Sequence, residues 1–185
     1  MSQLASSDHR LGDWLQTYSG RPFWPLDPRS EDVEIQTIAH ALSLQCRYGG
    51  HCIRFYSVAE HSVLLSEVAP PPYRLAALLH DAAEAYMVDV PRPLKLMLNG
   101  YAEAEDAILA VIGKTFGVTP DEFAAVREID KAILGDEVAQ NLAPSHKPWS
   151  YIGRPLGVRL HCWSPVEAEQ QFLHAFDQLT KPISK

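Results

Sequence analysis

Apolar residues recur every three to four positions along most of this chain, which is the spacing that places them on one face of an α-helix. Prolines, glycines and capping signatures such as Thr119-Pro-Asp-Glu122 and Ser164-Pro-Val-Glu167 indicate where such segments begin and end. The pattern predicts helices from Val33 to about Arg47, Ser57 to about Ala69, Tyr73 to about Tyr86, Tyr101 to Phe116, Thr119 to about Leu142, and Ser164 to about Leu179.

Two segments lack this spacing. Residues 1–32 contain Gly20 and several prolines, which predicts a short N-terminal helix followed by an ordered loop. Residues 144–163 are rich in Pro, Gly and aromatics, and the alternation from Gly157 to Trp163 suggests a short strand or hairpin. The sequence therefore predicts one all-α domain over residues 1–185, a helical bundle with its core at about 20–180 and a short irregular or hairpin excursion near 144–163.

Charge and cysteine content narrow the classes of function. The 185-residue chain has a formal net charge of −7, which argues against a general nucleic-acid binder because such proteins are normally basic. The three cysteines, Cys46, Cys52 and Cys162, form no CxxC pair and fit a reducing compartment. The sequence has no signal peptide and no run of about 20 apolar residues, so we expect a cytoplasmic protein with no membrane partner.

A histidine and an aspartate interrupt an apolar helical segment, because His80 and Asp81 directly follow Leu75-Ala-Ala-Leu-Leu79. Burying an unpaired carboxylate costs several kcal/mol, so such a pair is typical of a metal site or of an ion pair. Further ligands would have to come from other helices. His61 lies beside apolar positions one helix upstream, which allows it to face inward.

Asp130 is the best candidate for a fourth ligand, because Ile133 and Leu134 follow it at helical spacing and place it near the buried face. Asp136 is a rival for the same role. Two imidazoles and two carboxylates would form a mixed nitrogen and oxygen site for one divalent ion, which could be Mn, Co, Fe, Ni, Zn or Mg.

Acidic and basic residues near this motif are candidates for catalysis. Glu84 follows Asp81 by three positions and suits a general acid or base, while Asp89 lies just past the predicted helix end. Lys95 and Arg47 are candidates for holding a phosphate, and Arg92 and Arg54 are weaker candidates of the same kind.

The order His61…His80-Asp81…Asp130 resembles the H…HD…D signature of the HD-domain phosphohydrolases. The stretches His80-Asp-Ala-Ala-Glu84 and Asp89-Val-Pro-Arg-Pro-Leu-Lys95 are similar to those of the bacterial 5′-deoxynucleotidase branch. The stretch from Pro25 to His61 is similar to bacterial and phage HD hydrolases, near which phage dATP triphosphohydrolases belong. The resemblance covers about residues 20–180 and implies the HD-domain helical bundle.

The resemblance also implies roles for individual residues. Relatives of this kind place a nucleoside-contacting aromatic where Tyr48 stands, and the Gly49-Gly50-His51 insertion departs from the deoxynucleotidase pattern, which makes His51 a candidate for lining the pocket. The implied metal ligands are His61, His80, Asp81 and Asp130; the implied catalytic carboxylates are Glu84 and Asp89; the implied phosphate contacts are Arg47 and Lys95.

These features together predict a metal-dependent phosphohydrolase that releases phosphate from deoxynucleoside 5′-monophosphates. The first alternative is a triphosphohydrolase that releases triphosphate from a dNTP such as dATP. A second alternative, from another class, is a non-catalytic nucleotide-binding protein. Because relatives are often dimers or larger, we also expect a homodimer or a larger homo-oligomer.

Overall fold

Eight α-helices provide most of the regular structure in the residues that the computed structural model describes, which are 9–147, 149 and 153–181. They are α1 (Ile35–Leu44), α2 (Val58–Val68), α3 (Arg74–Leu79), α4 (Glu84–Met87), α5 (Arg92–Lys95), α6 (Tyr101–Phe116), α7 (Pro120–Asn141) and α8 (Pro165–Thr180). A two-stranded sheet is the remaining regular element apart from short 3₁₀ turns. The prediction of an all-α fold is confirmed.

Helix α2 lies at the centre of the bundle, where it packs against α1, α3 and α8. Its residues from Val58 to Ser66 are buried on every side, which is the pattern of an interior helix. The side chain of Ser57 caps its first turn by accepting the amide of Glu60 at 3.0 Å. A helix held in this way gives His61, on its second turn, a fixed position in the core.

The N-terminal region forms a hairpin in place of the predicted helix. Strands β1 (Leu15–Gln16) and β2 (Pro22–Phe23) pair antiparallel, and a 3₁₀ turn follows at Ser30–Asp32. The helix prediction is therefore wrong for residues 9–32, and residues 1–8 lie outside the described part. The hairpin places Phe23 in the core, where its ring stacks on Tyr86 at a centroid distance of 3.7 Å.

The predicted continuous helix from Tyr73 to Tyr86 is interrupted at the His80-Asp81 pair. Helix α3 ends at Leu79, α4 begins at Glu84, and the four residues between them form tight turns. The imidazole Nδ1 of His80 donates to the carbonyl of Ala77 at 2.8 Å. That carbonyl would accept the amide of Asp81 in an uninterrupted α-helix, so the histidine competes with the backbone for it.

Backbone amides in the interruption bond three residues back rather than four. The amide of Ala82 donates to Leu79, and that of Glu84 donates to Asp81, each at 3.0 Å. This 3₁₀-like tightening changes the directions of the side chains at positions 80 and 81. Such a break inside a helical stretch is common where side chains serve a binding site.

The chain after α7 is irregular, as expected, but it contains no strand among residues 144–147, 149 and 153–163. Side chains take the place that a partner strand would have. Asp136 accepts the amides of Leu156 and Gly157 at 2.7 and 3.1 Å. Glu60 accepts three successive amides, those of His161, Cys162 and Trp163, at 2.7–2.8 Å.

The prediction of a strand or hairpin from Gly157 to Trp163 is therefore wrong. The alternation in the sequence reflects burial, because Val158 and Leu160 are buried while Arg159 between them is exposed. The side chain of Gln140 makes two bonds to this segment. Its oxygen accepts the amide of Leu160 at 3.1 Å, and its nitrogen donates to the carbonyl of Val158 at 2.7 Å.

The described helices also bear on the membrane prediction. Within the described residues, no helix is both long and apolar enough to cross a membrane.

Candidate metal centre and adjoining cleft

Three side chains from different elements converge at one point. They are His61 from α2, His80 from the interruption after α3, and Asp130 from α7. The Nε2 atom of His61 lies 3.2 Å from Nε2 of His80 and 3.2 Å from Oδ1 of Asp130. One atom from each residue lies within 4.8 Å of the other two, so the group could hold a metal ion.

Asp81 borders this group. Its Oδ1 atom lies 3.2 Å from Nε2 of His80, and its Oδ2 atom lies 3.7 Å from Nε2 of His61. The guanidinium of Arg47 contacts the same Oδ2 atom at 3.4 Å. The four side chains together offer two imidazole nitrogens and two carboxylates, a donor set that suits a divalent ion.

Electrostatics couple these groups in the absence of an ion. Burial would lower the pKa of His80, but the adjacent carboxylates of Asp81 and Asp130 outweigh it and raise that pKa well above its usual value. At His61, burial and the charge of Arg47 would lower the pKa, but Glu137 and Asp130 outweigh them and raise it. A metal ion would therefore have to displace protons from both imidazoles.

Asp136, the rival fourth ligand, is engaged elsewhere. Both of its carboxylate oxygens accept backbone amides of the segment after α7, and it is not part of the cluster formed by His61, His80 and Asp130. Asp130 lies six residues earlier on the same helix and faces the histidines.

The sequence analysis missed Glu137, which is fully buried beside His61. Its Oε1 atom accepts from Nδ1 of His61 at 2.7 Å and from the hydroxyl of Tyr56 at 2.9 Å. Its Oε2 atom accepts from Arg47 at 3.2 Å and from the hydroxyl of Tyr48. Because Nδ1 of His61 donates to this carboxylate, Nε2 remains free to act as a ligand.

Burial would raise the pKa of Glu137, but the charges of Arg47 and His61 outweigh it and hold the pKa at about 2. The carboxylate is therefore ionised at neutral pH. The sequence contained one usable signal for this residue. Glu137 lies seven positions after Asp130, which is two helical turns along the same face of α7.

A cleft of about 380 Å³ opens beside the candidate metal centre. Its walls come from four places: Arg47, the interruption after α3, the α4–α5 region and α7. Its lining residues are Arg47, Asp81, Glu84, Asp89, Val90, Arg92, Lys95, Leu96, Asp130 and Leu134.

Two acidic residues line this cleft, of which Glu84 is buried and Asp89 half-buried. Burial, followed by the charges of Asp81 and Asp89, raises the pKa of Glu84 well above its usual value. Burial is also the main cause that raises the pKa of Asp89. The Oε2 atom of Glu84 is buried and has no hydrogen-bond partner among the described residues.

The side chain of Gln45 fixes the segment that carries these two carboxylates. Its amide nitrogen donates to the carbonyl of Glu84, and its amide oxygen accepts the backbone amide of Asp89, both at 2.9 Å. The residue that ends α1 thereby positions both candidate catalytic residues.

The cations of the cleft differ in their surroundings. Arg47 is wedged between Asp81 and Glu137, and its buried Nε has no hydrogen-bond partner among the described residues. Lys95 is paired with Glu105 at 2.5 Å. Arg92 is exposed at the cleft, without an ion pair in the described part of the chain.

Tyr48 and His51 do not line this cleft. Tyr48 has a left-handed backbone conformation with φ of 59°, and its hydroxyl donates to Glu137. His51 is exposed at the end of the Arg47–Gly50 turn. Tyr48 therefore adjoins the candidate site through Glu137 and Arg47, whereas His51 is exposed to solvent.

Two bacterial proteins are similar to this chain, although no protein-family model matches it. The uncharacterized protein YfdR of Escherichia coli (strain K12) is 40% identical over 124 residues, which are 67% of this chain and 70% of YfdR. The uncharacterized protein RCAP_rcc00048 of Rhodobacter capsulatus is 39% identical over 193 aligned residues, which cover 92% of this chain and 97% of that protein.

Proposed function

This chain belongs to the family that includes YfdR and RCAP_rcc00048, and we propose that it is a metal-dependent phosphohydrolase acting on deoxynucleoside 5′-monophosphates. One observation carries the proposal. A cleft that adjoins a group able to hold a metal ion brings together two carboxyl groups of raised pKa and three cationic side chains. That combination suits the transfer of a phosphoryl group to water.

His61, His80, Asp81 and Asp130 are the proposed ligands of one divalent ion, which could be Mn, Co, Fe, Ni, Zn or Mg. Their donor atoms support this assignment, because they mix imidazole nitrogen with carboxylate oxygen within short distances. When bound, such an ion supplies Lewis-acid activation of water and of a phosphoryl oxygen.

Glu84 would act as the general acid that protonates the leaving group. Its raised pKa favours the protonated carboxyl, and that form can donate to the oxygen of the departing nucleoside. Asp89, beside it in the cleft, would hold a substrate hydroxyl or relay a proton.

Arg47 lines the cleft and would contact the phosphate through the guanidinium N–H groups that do not bind Asp81 or Glu137. Arg92 and Lys95 extend the positive charge along the cleft. These two additional cations favour a second candidate function, the release of triphosphate from a dNTP.

A release screen tests both functions. Phosphate and triphosphate release would be measured over nucleoside mono- and triphosphates, each with several divalent ions. We expect metal-dependent phosphate release from deoxynucleoside monophosphates. Triphosphate release would favour the second candidate, while binding of nucleotides without hydrolysis under any metal would identify a non-catalytic nucleotide-binding protein.

The Glu84→Ala variant tests the mechanism separately. We expect it to abolish turnover while the metal content of the purified protein stays unchanged, because Glu84 lies outside the proposed ligand set. Glu67→Ala is a matched control, since Glu67 is exposed on α2 and does not line the cleft. Full activity of Glu84→Ala would remove Glu84 from the mechanism.

A further inference from the structure

Two thiols face each other at the base of the Arg47 loop. The Sγ atoms of Cys46 and Cys52 are 3.5 Å apart, and both cysteines are free and half-buried. The thiol of Cys52 also donates to the carbonyl of Arg47 at 3.3 Å. The two sulfurs therefore bracket residues 47–51, a loop that begins with a proposed phosphate contact.

The bracketed loop is tied to the candidate metal centre by side chains. Arg47 contacts Asp81 and Glu137, and Tyr48 donates to Glu137, which in turn holds His61. The turn itself depends on three successive residues with positive φ, from Tyr48 to Gly50. The loop between the two sulfurs is thus joined to the groups around His61 by direct contacts.

The backbone on either side of the loop is held in a ladder-like arrangement. Cys46 forms a bridge with Ser57, the N-cap of α2, and the amide of Arg47 donates to the carbonyl of Tyr56 at 2.9 Å. The amide of Ile53 donates to the carbonyl of Asn141 at 2.8 Å. These anchors hold the two ends of the loop, and with them the two cysteines, next to each other.

We propose that Cys46 and Cys52 are a site of reversible disulfide formation that regulates the adjoining cleft. The effect on hydrolysis rests on the function proposed above, whereas the disulfide itself does not. A peroxide serves as the oxidant. Hydrogen peroxide converts the thiol of Cys46 to a sulfenic acid and releases one water.

Cys52 then attacks that sulfur, so the S–S bond forms, the S–O bond breaks, and a second water leaves. Cys46 is assigned the first step because burial, followed by the neighbouring Cys46 thiol, raises the pKa of Cys52 to about 11. Cys52 therefore stays protonated near neutral pH and reacts with peroxide more slowly than a thiolate would. When it attacks the sulfenic acid, its proton leaves with the departing hydroxide as the second water.

Disulfide formation would displace the loop. A disulfide bond is about 2.05 Å long, so the sulfurs must approach each other by about 1.5 Å. Cys52 also loses the hydrogen that it donates to the Arg47 carbonyl. The guanidinium of Arg47 would then move relative to Asp81 and Glu137, and phosphate binding in the cleft would weaken.

Peptide mapping tests the disulfide without reference to activity. The full-length protein, loaded with redox-inactive Mg²⁺, would be treated with hydrogen peroxide, alkylated and digested with trypsin. Cleavage after Arg47 places Cys46 and Cys52 on different peptides, so their disulfide would join the two. We expect the joined pair in the native protein, with Cys162 alkylated.

Single variants identify the bond. Cys46→Ser and Cys52→Ser should prevent the joined peptides, while Cys162→Ser, the matched control, should preserve them. Absence of the joined pair in the native wild-type protein, or pairing that involves Cys162, would overturn the assignment.

Two readouts test the regulatory effect. Oxidation should slow amide hydrogen exchange in residues 47–56 and should lower hydrolysis about tenfold or more, with recovery after dithiothreitol. Cys46→Ser should show the basal activity of the reduced wild type and no response to peroxide.

The two proposals fail in different ways. If the disulfide forms but neither exchange nor hydrolysis changes, regulation is refuted and the proposed function stands. If the reduced protein hydrolyses no nucleotide, the proposed function is refuted, and the exchange measurement alone decides whether the disulfide alters the loop.

Discussion

Glu137 shows how much of the candidate site depends on a residue that carries no recognisable motif. It binds His61, Tyr56, Arg47 and Tyr48, which lie 76–90 positions away in the sequence. The helical spacing from Asp130 places it on the correct face of α7, but spacing alone does not indicate which side chains meet it. Its role becomes visible only when the helices are packed together.

The Glu137→Gln variant should lower the affinity for divalent metal by about 10–100-fold. The amide no longer carries the charge that orients the Nδ1 proton of His61, so Nε2 presents its lone pair less reliably. The measurement is a metal titration by calorimetry, together with the visible absorption spectrum of the Co²⁺-loaded protein, which reports ligand geometry.

Glu60→Gln provides the control for this variant. Glu60 is equally buried and adjoins His61 in the sequence, but it accepts backbone amides of the segment after α7. We expect a lower thermal midpoint with an unchanged metal affinity. A loss of affinity as large as that of Glu137→Gln would show that general destabilisation explains both results.

Glu84 should make the stability of the metal-free protein depend on pH. Its pKa in the folded state is raised above the ordinary value of 4.5, first by burial and then by Asp81 and Asp89. The folded protein therefore binds more protons than the unfolded chain above that value, and the free energy of unfolding falls as the pH rises through this window.

The Glu84→Gln variant removes this dependence because glutamine stays neutral. In the presence of a chelator, the variant and the wild type should be similarly stable near pH 4. As the pH rises, the free energy of unfolding of the variant should increasingly exceed that of the wild type. Urea unfolding at several pH values measures the difference. A constant difference across the range would contradict a raised pKa at Glu84.

At the scale of elements, the sequence predicted the longest helices well and the interruptions poorly. Helices α6, α7 and α8 match the predicted ranges to within one residue at each end, because hydrophobic spacing and capping residues are local signals. The end of α3 at Leu79 was not predicted, since it depends on a hydrogen bond from His80 to a carbonyl in the preceding turn. The same side chain that serves the candidate site breaks the helix.

Side chains also replaced an expected strand. Asp136, Glu60 and Gln140 satisfy the backbone of the segment after α7, and polar residues on distant helices cannot be recognised as such partners from the sequence. The two candidates for the fourth ligand position thus have different surroundings. Asp136 accepts backbone amides, whereas Asp130 faces the histidines.

Asp136→Asn and Asp130→Asn should therefore fail in different ways. The first removes a charged acceptor of two amides and should lower the free energy of unfolding by about 1–3 kcal/mol, with metal affinity unchanged. The second should abolish or strongly weaken metal binding with a smaller effect on stability. Chemical denaturation and metal analysis of both purified variants would distinguish them, and loss of metal from Asp136→Asn would reverse the assignment.

For the whole molecule, the sequence predicted the fold class and one set of residues that converge. His61, His80, Asp81 and Asp130 come from three separate parts of the chain, and helix-face arguments together with the resemblance brought them to one place. The bond from Tyr48 to Glu137 and the exposure of His51 were not predictable, because they depend on an irregular turn with left-handed residues.

Binding of a metal ion to His61, His80, Asp81 and Asp130 should raise the free energy of unfolding of the whole chain. At a metal concentration about 100 times the dissociation constant, the gain is about 2.7 kcal/mol, or about 5–10 °C in thermal midpoint for a chain of this size. The gain should shrink as the pH is lowered, because protons compete for His61 and His80, whose pKa values are raised. Thermal unfolding with metal and with chelator at pH 8 and pH 6 measures it.

The Asp130→Asn variant is the reference for this experiment and should show no stabilisation at either pH. A stabilisation that does not change with pH would indicate that the ion binds without displacing protons from the two histidines.

The contacts made by the end of α7 should make this helix intolerant of inserted or deleted residues. Its last three turns carry Asp130, Asp136, Glu137, Gln140 and Asn141, which reach four different regions. One inserted residue rotates everything after it by about 100° and shifts it by about 1.5 Å, so all contacts beyond the insertion are lost together. An alanine inserted after Ile133 should lower metal affinity at least as much as Glu137→Gln does, because Glu137 lies beyond the insertion and would lose His61. One inserted in the exposed stretch at 144–147 should leave metal affinity unchanged. Relatives are therefore expected to keep a constant number of residues from Asp130 to Asn141 and to differ in length after it.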